Sequence, residues 1–340
     1  MGGGTGVVRD AVPARRRRQF GAEHHLIVSI GRRIAAGVLL LFAVSVLIFA
    51  GTQLLPGDVA TAILGQNATP SALTAIRAEL GLDKPAALRY VMWLVNALHG
   101  NFGISYASRQ DIATSIGLRL GNTLFLAGIT ALVAIPLSIG LGVVSVLNRN
   151  GWVDRTITTV TRSTVALPEF FVGYILIMIF SVKLGWFQSS STVFPGMPFG
   201  ERLSAVLLPT VTLVLAILGH MTNMTRAALL NVLSSPYVEM AVLKGVSRAR
   251  VVWRHALPNA LAPIINVIAI NLAYLVVGVV VVEVVFVYPG MGQYMVDAVA
   301  KRDIPVVQAS GLIFAAVYIG LNSLADLTAL LANPRLRHPK

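Results

Sequence analysis

The chain has no cysteine, which excludes disulfides, thiolate metal sites and thiol nucleophiles. Charge is scarce too: 12% of residues are charged, about half of the roughly 25% usual in soluble domains. Acidic residues are the rarer sign, 14 against 27 lysines and arginines. There is no G-x-x-x-x-G-K-[ST] phosphate loop, so this polypeptide cannot hydrolyse ATP in the P-loop manner by itself. A G-x-S-x-G elbow, an H-E-x-x-H zinc spacing and an intramembrane acid–histidine pair are missing as well. The six histidines (His24, His25, His99, His220, His255 and His338) are tail-bound or scattered, so no metal site is expected.

Apolar residues dominate instead, 56% of 340, and the mean hydropathy of +0.76 marks an integral membrane protein. A net charge of +13 invites a nucleic-acid reading. The basic residues, however, flank apolar runs and do not share one exposed face with stacking aromatics. Membrane lipid is therefore the expected surface partner, and nucleic acid is not.

Residues 1–33 form a polar, basic segment, and residues 34–55 are apolar for long enough to cross about 30 Å of hydrocarbon. Residues 56–117 are water-compatible and read as a small extracytoplasmic subdomain. Thr69-Pro70 and Gly81 bracket one short helix in it, and Pro85 and Gly100 another, whose Leu88, Met92, Val95 and Leu98 share a face. A five-helix core at 118–331 follows, with crossings near Leu120–Leu147, Val165–Gly185, Ala205–Met224, Ala260–Val285 and Val306–Leu331. Pro136 is expected to kink the first of these, and the β-branched Val276–Phe286 stretch to end the fifth helix early. Tyr288–Asp303 reads as a short loop, and 332–340 as a tail. With six crossings, one side collects 18 lysines and arginines and the other 9. By the positive-inside rule both termini and residues 234–258 are cytoplasmic.

Residues 234–258 are a polar, basic island. Ser235-Pro236 is a helix-start signal, Glu239 suits the opening turn, Gly245 interrupts the pattern, Ser247 can cap a second helix and Pro258 closes the segment. Two readings stand for it. Lys244, Arg248, Arg250 and Arg254 could hold an amphipathic helix pair on headgroups. Alternatively, Tyr237, Val238, Ala241, Val242 and Leu243 form an apolar knob for a protein groove.

The acids near the membrane are Glu169, Glu283 and Asp326. Each has a structural or interfacial reading beside a substrate or proton role. Asn122, Thr123, Asn223, Asn266, Asn271 and Asn322 either bond between packed helices or line a path. Gly128, Gly140, Gly142, Gly173, Gly278, Gly311 and Gly320 point to close helix packing.

Glu239-Met240-Ala241, Gly245 and Leu257-Pro258, within the run RHALPNALAPII, resemble the EAA loop of permease subunits of ATP-binding-cassette importers, in the form of the peptide-importer branch. The likeness extends along the chain: Leu55-Pro56-Gly57-Asp58, Glu79 to Pro85, Gly100-Asn101-Phe102-Gly103, Thr225-Arg226-Ala227, Glu283 to Phe286, Pro289 to Gly292, Asp303 to Gln308, and Asn333 to Arg337. Together these are similar to the first, B-type dipeptide/oligopeptide permease. Met240, Asn333 and the long leader depart from the family pattern, His255 replaces the common Ile in the manner of the peptide-importer branch, and Glu169 stands where a small hydroxyl residue is more usual.

The resemblance implies an all-α polytopic protein of a bacterial inner membrane, of type I importer architecture, that moves di- or oligopeptides by alternating access and is no enzyme itself. It implies ATP and Mg bound by partners: two ATPase subunits or one fused ATPase, beside a second homologous permease and an extracytoplasmic substrate-binding protein. ATPase coupling falls to Tyr237, Glu239, Ala241, Lys244, Gly245, Arg248, Leu257 and Pro258, and candidates for the translocation path are Asn122, Glu169, Asn223, Asn266, Asn271 and Glu283. The alternatives are an ion-coupled secondary transporter or channel, a membrane-anchored assembly protein, or a permease for nickel chelate, glutathione or sugar.

Overall fold

The computed structural model describes residues 14–54, 60–61, 68–79 and 81–332. The Leu55–Asp58 and Asn333–Arg337 motifs and the first 13 residues of the leader lie outside them. Among the described residues the regular elements are helices. Five are long and apolar enough to cross a membrane: Ile30–Gln53, Ile112–Leu147, Leu207–Leu233, Arg248–Val276 and Ile304–Thr328. Trp152–Ala166 and Glu169–Lys183, bent by 102° at the break between them, pass the same test only as a pair. The continuous run expected at 165–185 is therefore interrupted at 167–168. Leu167 and Pro168 are both extended, because proline drives the residue before it out of the helical region.

Helix α1 spans Ala14–Gln53. Helices α2 (Pro70–Glu79) and α3 (Ala86–Leu98) lie where proline and glycine bracket them, with Gly81 and Gly100 at φ of +64° and +77°. The apolar face of α3 is open, with Leu88, Met92, Val95 and Leu98 all exposed. Its contacts run through Tyr90 and Trp93, which pack on Phe49 of α1, and the Tyr90 hydroxyl meets that of Ser45 at 2.8 Å.

Helix α4 (Ile112–Leu147) begins six residues before the expected boundary at 118 and runs through Pro136 without a break. Asp111 sets its start by accepting the Thr114 N–H at 2.8 Å and hydroxyl at 2.7 Å. These bonds favour the ionised form and hold the carboxyl below its usual range. Next come α5 (Trp152–Ala166), α6 (Glu169–Leu176) with a π-helical continuation over Ile177–Lys183, α7 (Phe199–Ala205) and α8 (Leu207–Leu233). Helix α9 is Pro236–Leu243, and a helical lead-in over Arg248–Ala256 enters α10 (Leu257–Val285). Helix α10 does not end early. The last two are α11 (Met291–Ala300) and α12 (Ile304–Ala332).

The central core joins α4, α8 and α10 through Leu126, Leu213, Ile217, Met221, Val282 and Phe286. Helix α8 comes closest to its neighbours at glycine. A Cβ on Gly142 of α4 would lie 2.9 Å from Thr225, and one on Gly219 would lie 2.1 Å from the Thr161 carbonyl oxygen of α5. Gly128, Gly140 and Gly320 have nothing within 4 Å, so the packing role expected of them does not hold in this chain.

The 288–303 stretch is largely the helix α11, not a loop. The buried Glu283 carboxylate accepts the Gly292 N–H at 2.7 Å, the Gln293 N–H at 3.2 Å and the Thr123 hydroxyl at 2.6 Å. A carboxylate so placed fills orphan donors at a helix N-terminus. Gly290 and Gly292 serve as clearance, since Cβ atoms there would stand 2.0 Å from Glu283 and 2.6 Å from the Val280 backbone. Asp303, just before α12, ties down the 105–107 turn by accepting the Ser105 hydroxyl and the Tyr106 and Ala107 N–H groups.

Candidate functional site

The 234–258 segment folds as a short helix, a corner and a second helix. Pro236 opens α9 with Ser235 extended at ψ 145°, but Ser235 does not cap: its hydroxyl donates to the Val232 carbonyl. Ser247 makes no capping bond either. Gly245 is the corner, at φ +76°, a conformation costing other residues about 1–2 kcal/mol. Pro258 does not close the segment, because the chain stays helical from Arg248 to Val285. The π-helical Val251–Ala256 stretch just before it admits a proline, which has no N–H for an α-type bond.

One side of α9 faces out. Tyr237, Met240, Val242 and Leu243 are exposed, Leu243 at 79%, whereas Val238 is turned inward. Glu239 and Lys244 are exposed, Ala241 and Leu257 are partly buried, and Pro258 is exposed. The segment stands on a firm base. Arg248 donates to the Val146 carbonyl at 3.0 Å, at the C-terminal end of α4 where a cation is favoured. Val252, Ala256 and Ala260 join Val143, Val146 and Leu229 in a second apolar cluster. Below it, Arg226 of α8 grips the buried Asp154 of α5 at 3.0 and 2.9 Å, with Ser145 of α4 bonded to both. This node joins three helices at the root of the segment.

A cleft of about 720 Å³ opens between the α5–α6 break, α8 and α10. Its walls include Val165, Ile217, Ile270 and Val281, and its polar groups are Thr164, Glu169, His220, Asn271 and Tyr274. Glu169 is half-buried in the first turn of α6 and lines the cleft together with Tyr274. Its two carboxylate oxygens lie against Gly278, 3.2 Å from where a Cβ would stand.

Residues 134–338 match the family described as binding-protein-dependent transport system inner membrane component, and residues 26–127 match the N-terminal part of such membrane components. The chain belongs to this permease family. The permease is 35% identical over 308 residues to a putative peptide transport system permease protein of Brucella abortus (strain 2308), covering 90% of this chain and 98% of that one. It is also 35% identical over 307 residues to the glutathione transport system permease protein GsiC of Escherichia coli (strain K12), with the same coverage. Its fold is similar to that of the MetNI methionine ABC transporter in inward-facing conformations, with a TM-score of 0.55 at 16% identity over 64% of this chain and 96% of that one. The permease is thus a multi-pass membrane component of type I fold and not an enzyme.

Of the six candidate path residues, the cleft brings together only Glu169 and Asn271. Asn223 and Asn266 are half-buried and stand apart from its lining. Glu283 is sealed in its bonds to α11. Asn122 braces the end of the bundle opposite the 234–258 segment: it donates to the Pro289 carbonyl at 2.9 Å and accepts Arg202 at 3.0 Å. Asp326 pairs with Arg33 of α1 at 2.7 Å. The sequence reading missed Tyr274 and the Asp154–Arg226 node. Asn271, Tyr274 and Gly278, three and four residues apart on one helix face, were a usable signal for the cleft. Nothing local points from Asp154 to Arg226.

Proposed function

We propose that the chain is the membrane-spanning subunit of an ATP-driven importer of di- or oligopeptides, with 234–258 as its ATPase-coupling loop. The observation that carries this reading is α9: an eight-residue helix that exposes Tyr237, Met240, Val242 and Leu243 beside a glycine corner, while its root is fixed to α4, α8 and α10. At 1.5 Å per residue it is about 12 Å long, a size that suits a groove on a partner. The assembly pairs this chain with a second homologous permease. ATPase subunits, separate or fused, carry ATP and Mg on the cytoplasmic side, where both termini also lie, and a binding protein delivers cargo outside. Relatives named for peptide and glutathione transport support the cargo class. Helices α8 and α10 flank both the loop and the cleft, so ATPase closure on α9 would move the cleft walls. ATP binding drives the change by its differential affinity for one state.

The open space around Gly245 makes backbone conformation the lever. Asp tolerates positive φ better than most residues, so Gly245→Val is a stronger perturbation than Gly245→Asp. In the assembled transporter, Gly245→Val and Leu243→Ser are expected to uncouple binding-protein-stimulated ATPase activity from peptide uptake without loss of membrane insertion. Normal uptake and coupling in both variants would overturn the assignment.

A further inference from the structure

Among the described residues, the cleft lining holds one carboxylate and no lysine or arginine. Glu169 stands in the first turn of α6 with no salt-bridge partner among the described residues, and Gly278 leaves its oxygens room to lie flat against α10. A carboxylate in the spanning body of a membrane protein is costly without a countercharge. Beside it stand two exposed aromatic side chains, Phe170 and Tyr274, and aromatic faces attract cations. Thr164, His220 and Asn271 are the other polar groups of the lining, the rest of the walls are apolar, and the volume of about 720 Å³ falls within the roughly 300–1,000 Å³ of small-molecule sites.

We propose that this cleft receives the cationic group, a primary ammonium or a guanidinium, of the transported solute, with Glu169 recognising the charge and the apolar walls accepting the uncharged remainder. The proposal rests on the importer reading above and adds to it: the permease itself discriminates between cationic and neutral cargo. Gly278 is part of the device, because a Cβ there would stand 3.2 Å from both carboxylate oxygens and push them aside while keeping their charge.

The test uses the assembled transporter in phosphatidylglycerol nanodiscs, whose headgroups carry no amine, with empty nanodiscs as the partition control. Phenethylammonium and its neutral counterpart 2-phenylethanol are titrated and followed by saturation-transfer NMR. The wild type is expected to prefer the cation by about ten-fold, the ratio that about 1.4 kcal/mol represents. Glu169→Gln should abolish the preference and Gly278→Ala should reduce it, with thermal unfolding confirming that each variant is folded. An undiminished preference in Glu169→Gln would overturn the proposal. So would its absence in the wild type, the result if a basic side chain of the neighbouring permease fills the cleft. Peptide uptake by the same assembly is scored in parallel. Uptake without cation preference sinks the cationic subsite alone, whereas preference without peptide uptake sinks the peptide reading alone.

Discussion

Replacing Asp154 with alanine is the sharpest test of how the root of the 234–258 segment is held. The carboxylate is 6% exposed and accepts two bonds from Arg226, one from the Asn150 N–H at 3.1 Å and one from Ser145. Removing one member of a buried ion pair costs about 3–5 kcal/mol, because the remaining charge is stranded. Arg226 is 26% exposed and keeps its 2.9 Å bond to the Ser145 hydroxyl, which places the expected loss at the lower end, about 3 kcal/mol. Arg226→Met in the same chain removes the stranded charge. The double variant should therefore be less destabilised than the sum of the single variants, with a coupling energy of about 2 kcal/mol. The assay is reversible unfolding of the purified permease in mixed micelles titrated with sodium dodecyl sulfate, read by circular dichroism. A loss below about 0.5 kcal/mol for Asp154→Ala, or strict additivity in the double variant, would refute the reasoning.

Two further expectations use the same assay. Glu283→Ala strands the Thr123 hydroxyl and two backbone N–H groups of α11 and should cost about 3–5 kcal/mol. Glu283→Gln, which keeps an acceptor oxygen, should cost less than half of that, and equal losses would count against the capping role. Gly219→Ala forces a Cβ to within 2.1 Å of a backbone carbonyl and should cost about 3 kcal/mol. Gly128→Ala, in open space, should be neutral or stabilising by up to about 1 kcal/mol. A reversed order would show that the α5–α8 approach is not a tight contact.

The features legible in the sequence were those with local causes. Pro70, Pro85, Gly81 and Gly100 placed two short helices because proline at a helix start and glycine at positive φ act on their own backbone. Gly245 gave away its corner for the same reason. Apolar length located the crossings, except where Pro168 broke one. The failures involve partners far apart in the chain. Gly290 and Gly292 looked like turn residues but make room for Glu283, whose hydroxyl partner Thr123 is 160 residues away. Glu169 and Gly278 meet only after α6 and α10 are packed, so the face of Asn271, Tyr274 and Gly278 signalled one wall of the cleft but not its carboxylate. Pro258 misled because the π-helical stretch that accommodates it has no compositional mark.

That stretch is a buffer of chain length. Each residue of an α-helix advances the chain by about 100° around the axis, and a wide turn stores an extra residue without breaking the helix. Deleting one residue within Val251–Ala256 would let the stretch tighten to an ordinary helix while the helix beyond it kept its facing. Deleting one from the α-helical run between Leu257 and Asn271 would instead rotate everything beyond by about 100°. Asn271 and Tyr274 would then swing off the cleft while the sequence on both sides stayed intact. The facing of the cleft wall relative to α9 is thus sensitive to residue count in the α-helical run and insensitive to it at the wide turn.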